Sequence, residues 1–287
     1  MSFILSGEST FDMNKVTKLE RDFKILNMTY FVDGEVFGGE NADMPPKEFY
    51  DRMRTGAKTS TSMANCEDTR EFFLSLLKEG KDILHICFAS VCSGTYENVK
   101  KVADELNSTS KNRIFVVDST AESTAQGLIM ELVDEKRKTG ASISECVKYA
   151  EDIKGRVNSL FTVENLKYLS RGGRVSKTSA FIGNLAQIKP LLWVDESGRL
   201  LVGAKCIGRR VSLSKLTSMV KEKFSGEYPK IYVSHADCFD DAIYCKNKLS
   251  QLIPEAEIVI EKIGYVIGSH SGPGTIAIFF VGKDRSF

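Results

Sequence analysis

The chain has 287 residues, long for one compact domain and ordinary for two, and its 42% apolar and 27% charged residues are the balance of a folded globular protein rather than a disordered one. Its 39 basic and 38 acidic side chains leave a formal charge of +1, a balance in which nothing points to the strongly basic face of a nucleic-acid binder, and no nucleic-acid partner is expected. No apolar run is long enough to cross a bilayer, so no stable membrane insertion is expected.

In chain order, Phe3 to Leu5 reads as a first strand. Phe23 to Tyr30 is extended, and Phe31 to Val36 forms a hairpin with Asp33-Gly34 at its turn. Pro45 to Tyr50 opens a helix with proline in its first turn. Glu71 to Lys78 is amphipathic, and the run "DILHICFAS" from Asp82 to Ser90 is a buried parallel strand. A helix over Tyr96 to Leu106, a strand over Arg113 to Asp118 and helices over Thr124 to Lys138 and Ser142 to Ile153 follow; Ser142 and Glu145 make a capping box. Beyond Gly155 the texture changes. Strands are expected over Ser159 to Val163, Ile188 to Val194 (an edge strand, given Pro190), Leu200 to Ala204, Lys230 to His235, Glu257 to Ile260 and Ile276 to Val281. Helices are expected over Glu164 to Leu169, Ser179 to Gln187, Val211 to Phe224 and Asp240 to Leu252. The fold class is therefore α/β in two domains: 1–155 with a mostly parallel sheet flanked by helices, and 156–287 with a mixed sheet.

The seven cysteines are odd in number and scattered without a CxxC pair. The N-terminus has neither the basic start nor the long apolar middle of a secretion signal. Together these predict reduced thiols and a cytoplasmic protein. Three histidines without paired ligand spacing predict no metal centre.

Ligands of open parallel sheets lie beyond the carboxyl ends of the strands, and three polar clusters fall at such places. They are Lys58 to Ser62, with four consecutive hydroxyl residues; Ser90 to Tyr96, where Ser93 and Gly94 open a helix whose free N–H groups favour an anion; and Gly268 to Thr275, "GSHSGPGT", around His270 and Ser271. Each has a plainer reading as loop, cap or structural histidine. Three tempting motifs fail. Gly173 to Thr178 lacks the glycine that a P-loop needs before its lysine, Val91 replaces the first glycine of a nucleophile elbow around Ser93, and Gly268 to Gly274 lacks dinucleotide-binding spacing.

With these residues in hand the chain resembles the DegV family of bacterial fatty-acid-binding proteins over nearly its full length. The markers are Glu8-Ser9-Thr10, Lys58-Thr59-Ser60, Ser93-Gly94-Thr95-Tyr96, Val117-Asp118-Ser119, Leu169 to Arg174, Ile188 to Leu192, Ser234 to Asp237 and His270 to Thr275. The resemblance implies two α/β domains with a long-chain fatty acid in a cleft between them. Carried over by motif, its carboxylate is held by Thr59 with Ser60, by Ser93 with the Gly94 N–H, and by His270 with Ser271. It further implies that the protein is not an enzyme and needs no cofactor. It hands the acyl carboxylate to a separate fatty acid kinase, whose acyl-phosphate feeds phospholipid synthesis, with Arg171 and Arg174 docking the partner or lying on the head-group side.

The sequence departs from the pattern at Thr61-Ser62 (usually Gln-Pro), at Glu8 (usually Asp), and at Ile207, which we align with a partner-facing arginine. Two alternatives stay open: a lipid-responsive protein with another partner, and a hydrolase or acyltransferase using Ser93 or Cys92 with His270. For the lipid tail the candidates are Phe161, Leu166, Phe181, Ile182, Leu185, Ile188, Leu192 and Ile263, each equally suited to ordinary core.

Overall fold

The structure, a computed structural model, describes residues 3–13, 21–175 and 187–286. Four parallel strands form the first sheet, in the order β2 (Lys24–Leu26), β1 (Ile4–Glu8), β6 (Ile83–Cys87), β7 (Ile114–Asp118). A small antiparallel sheet joins β4 (Glu35–Gly38), β3 (Thr29–Val32) and β5 (Thr59–Thr61). Asp33 and Gly34 both take positive φ at its hairpin, as expected of a two-residue Asp-Gly turn. The second half builds a mixed six-stranded sheet. Its order is β10 (Leu200–Ile207), β9 (Ile188–Val194), β8 (Val157–Thr162), β13 (Ile276–Val281), β11 (Lys230–His235), β12 (Glu257–Lys262).

Three apolar clusters stack these sheets with their helices. Ile4, Ile83 and Cys87 on one face of the parallel sheet meet Phe73, Val99 and Val102 from the helices Cys66–Leu77 and Thr95–Asn107. Leu5, Leu84 and Ile86 on the other face share a core with Phe161, Leu192 and Phe279 of the six-stranded sheet. The helix Thr124–Lys138 lies within this shared core, buried continuously from Thr124 to Asp134. On the far face of the six-stranded sheet, Leu160, Ile231 and Ile278 meet Leu213, Leu216 and Leu249 from the helices Arg209–Lys223 and Phe239–Leu252. Among the described residues no helix is long and apolar enough to cross a membrane.

Several expectations need correction. The helix expected from Glu71 begins at Cys66, because the Asn65 side chain accepts from the Asp68 N–H and caps it five residues earlier. The strand with Pro190 is interior, lying between β8 and β10. The missing N–H is tolerated because the β8 pairing stops at Leu191 and β10 is irregular between Val202 and Lys205, opposite the proline. The hydroxyl run contains the strand β5, and the stretch before Ser271 is a helix, Tyr265–Ser271. Of the expected helix over 179–187, residues 179–186 lie outside the described residues, and with them the tail candidates Phe181, Ile182 and Leu185.

Candidate functional site

An apolar cavity of about 100 Å³ lies between the two large sheets, with walls drawn from both halves of the chain, among them Thr10, Ser93 and Phe88 from the first and Phe161, His270 and Phe279 from the second. Of the tail candidates in the described residues, Phe161 and Ile263 line it. Leu166 and Leu192 are buried in the shared core behind it, and Ile188 is half-buried at the start of β9.

One end is polar. His270 lies in the last turn of the helix Tyr265–Ser271, and its Nε2 shares a 2.8 Å hydrogen bond with Thr61 Oγ1. Burial pushes the imidazole down to about 4, with the nearby Arg174 guanidinium acting in the same direction, so the ring is neutral at physiological pH. Ser271 follows, 6% exposed, its Oγ buried without a hydrogen-bond partner. Thr275 closes this wall by donating to the carbonyls of Ser271 (3.0 Å) and Gly272 (2.9 Å). Ser93 stands across the cavity, where its Oγ accepts from the Thr95 N–H and lies 2.9 Å from Thr95 Oγ1.

The loop after Leu169 presses against His270. A Cβ at Gly172 would stand 2.4 Å from His270 Nδ1, so only glycine lets the two segments meet. Gly272 does the same for the other side, since at φ 81° it lets the backbone pass over the ring of Tyr168. Arg174 closes this end. Its Nε donates to the Cys92 carbonyl at 3.2 Å and its Nη1 to the Gly172 carbonyl. Among the described lining residues it is the one permanent cation.

The residues named from sequence thus separate. Ser93, His270 and Ser271 line the cavity together. Thr59 does not: its hydroxyl donates to the Ser269 carbonyl at 2.9 Å and ties β5 to the His270 helix. Strand alternation puts Thr61 on the same side and turns Ser60 outward, into a surface groove with Phe31 and Lys58. Gly94 is exposed at the start of the helix Thr95–Asn107 and lies off the cavity wall, beside Met63. Of the two arginines, Arg171 is exposed over the Tyr168 ring, whereas Arg174 lines the cavity. Sequence reasoning held Thr61 within the hydroxyl cluster without choosing it, and passed over Glu122. The first was signalled by its two-residue spacing from Thr59. The second follows a β7 loop with no local signature.

Neither nucleophile arrangement forms. Burial and the neighbouring Glu122 push the Cys92 thiol well above its ordinary range. The hydroxyl of Ser93 faces Thr95 while His270 Nε2 faces Thr61. Among the described residues, Glu8, His85 and Cys87 bring metal-ligating atoms within 4.8 Å of one another. These three hydrogen-bond to one another: His85 Nε2 lies 3.1 Å from Glu8 Oε1, and the Cys87 thiol donates to the same oxygen.

A family profile described as "Uncharacterised protein, DegV family" matches residues 6–283. A DegV domain-containing protein of Clostridium perfringens is 35% identical over 286 residues, covering 99% of this chain and 98% of its own. Two solved structures share the architecture. A fatty acid binding DegV family protein of Streptococcus agalactiae is 25% identical with a TM-score of 0.87, over 99% of this chain and 100% of its own. A DegV lipid binding protein of Thermotoga maritima is 26% identical with a TM-score of 0.85, over 100% of both chains. With the profile spanning nearly its whole length and these relatives sharing its fold, the chain belongs to the DegV family.

Proposed function

We propose that this protein binds one long-chain fatty acid in the cavity between its halves, residues 1–155 and 156–287 acting as two lobes, and presents the carboxylate to a separate fatty acid kinase for acyl-phosphate formation. The observation that carries the reading is the Ser271 Oγ, buried and unpartnered at one polar end of a largely apolar cavity, beside the Thr61–His270 pair. A buried hydroxyl without a partner is costly, and a carboxylate would supply the acceptor it lacks. Thr61, Ser93, Ser271, His270 and Arg174 offer donors for both oxygens. The tail supplies the affinity: about 14 buried methylenes gain roughly 11 kcal/mol at about 0.8 kcal/mol each, against the association costs and the desolvation of the carboxylate.

The protein itself performs no chemistry in this reading, consistent with a raised Cys92 thiol and a Ser93 hydroxyl that does not face His270. A cytoplasmic setting suits its seven free cysteines. For the partner, Arg171 and the exposed Ile207, Val211 and Phe239 offer an outer surface. Mass spectrometry of gently extracted protein tests the reading: a fatty acid near one per chain is expected. Protein that emerges empty and also refuses added palmitate or oleate overturns it.

A further inference from the structure

The cavity has a second polar feature, set apart from the His270 end. Strand registers align two rows of side chains on the cavity face of the six-stranded sheet. Ala277, Phe161, Leu192 and Val202 make one row. The next contains Phe279 and Ser159, continued by Val194 and Leu200. Thr275, in the wall at the His270 end, precedes Phe279 by four residues on the same face, about 13 Å along a strand. Ser159 is therefore a hydroxyl beside the apolar Phe279, well down the cavity. It is 3% exposed, lines the cavity, and its Oγ has no hydrogen-bond partner.

Glu122 also lines the cavity. Cys92 Sγ lies 3.4 Å from Glu122 Oε1 and 3.5 Å from the carbonyl of Gly198, in the turn that joins the Val194 and Leu200 strands. Burial pushes the Glu122 carboxyl up to about 8, with Arg285 opposing, so at neutral pH it holds a proton that it can donate. A plain hydrocarbon chain leaves Ser159 without a partner, and an alanine or valine would serve it better.

We propose that the cavity is shaped for an acyl chain carrying a hydroxyl group at mid-chain, with Ser159 as the side chain that recognises it. An alcohol both donates and accepts, which satisfies Ser159 in either sense. The inference rests on the fatty-acid reading above.

The test is calorimetric titration of delipidated full-length protein with stearic acid and with stearic acid hydroxylated near the middle of its chain. The hydroxylated acid is expected to bind within about twofold of stearic acid or more tightly. Ser159→Ala should then weaken the hydroxylated acid about tenfold while leaving stearic acid within about twofold. Weaker binding of the hydroxylated acid than this by the unaltered protein overturns the inference. So does a Ser159→Ala variant that treats both acids alike. If neither acid binds, the fatty-acid reading itself fails; if stearic acid binds and its hydroxylated form does not, only this inference falls.

Discussion

Two histidines of this protein stand among hydroxyls inside the fold, and their hydrogen bonds set them apart. His85 is fully buried. Its Nδ1 meets Ser6 Oγ at 2.9 Å and its Nε2 meets Glu8 Oε1 at 3.1 Å. Glu8 also accepts from the Cys87 thiol, the Phe88 N–H and the Gln126 amide, and Gln126 accepts in turn from Thr10. The cluster closes on itself. The His270 cluster does not close: Thr61 takes one ring nitrogen, the adjacent Ser271 Oγ has no partner, and the whole group borders a cavity. A saturated polar network serves the fold, whereas one left open beside a cavity has room to take up a ligand.

The sharpest way to break this comparison is at Glu8. Removing it strands His85, Cys87, the Phe88 N–H and Gln126 at once. Glu8→Ala should cost about 3–5 kcal/mol of stability, the range for stripping one partner from a buried charged network. A urea midpoint at unchanged slope measures it. A loss below about 1 kcal/mol would mean that the His85 cluster is no more structural than its counterpart.

At His270 the effect should appear in binding and carry a pH signature. Burial, aided by Arg174, holds the ring down near 4 in the empty protein, below its ordinary 6.5. Its contribution to stability is therefore fully present above 6.5 and is lost as pH falls toward 4. A carboxylate placed beside it favours the imidazolium and raises that value, so binding takes up a proton and affinity grows as pH falls from 7 toward 5. His270→Gln should weaken binding about tenfold at pH 6 and flatten the profile. Calorimetry in two buffers of different ionisation enthalpy counts the proton. An unchanged uptake in the variant would move the titrating group elsewhere.

The sequence made the strands and most helices legible because their signals are local: the Asp33-Gly34 turn, the Ser142–Glu145 capping box, the apolar run of β6. It also put Ser93, His270 and Ser271 in one site, through motif resemblance rather than spacing. What it could not supply was the accounting of hydrogen bonds. Thr59 and Thr61 share a strand face, and only the Ser269 carbonyl, 210 positions away, decides that the first is structural. Arg171 ends the helix Lys167–Arg171 and Arg174 lies three residues on, and the Cys92 carbonyl draws the second inward. Glu122 and Ser159 become notable only when a cavity forms around them.

The smallest predicted change is the most discriminating. In the empty protein the Ser271 hydroxyl lacks a partner and is 6% exposed. Taking it away removes a desolvation cost and no hydrogen bond, so Ser271→Ala should leave stability unchanged or raise it by a few tenths of a kcal/mol. In the proposed complex the same hydroxyl donates to the carboxylate, and its loss should weaken binding about three- to tenfold. Thermal unfolding with and without palmitate reads both terms, because ligand stabilisation follows affinity at fixed concentration. A shift that shrinks only in the presence of palmitate marks a side chain held in reserve for a ligand. Equal destabilisation of the empty and loaded protein would place Ser271 with the His85 cluster, as one more element of the scaffold.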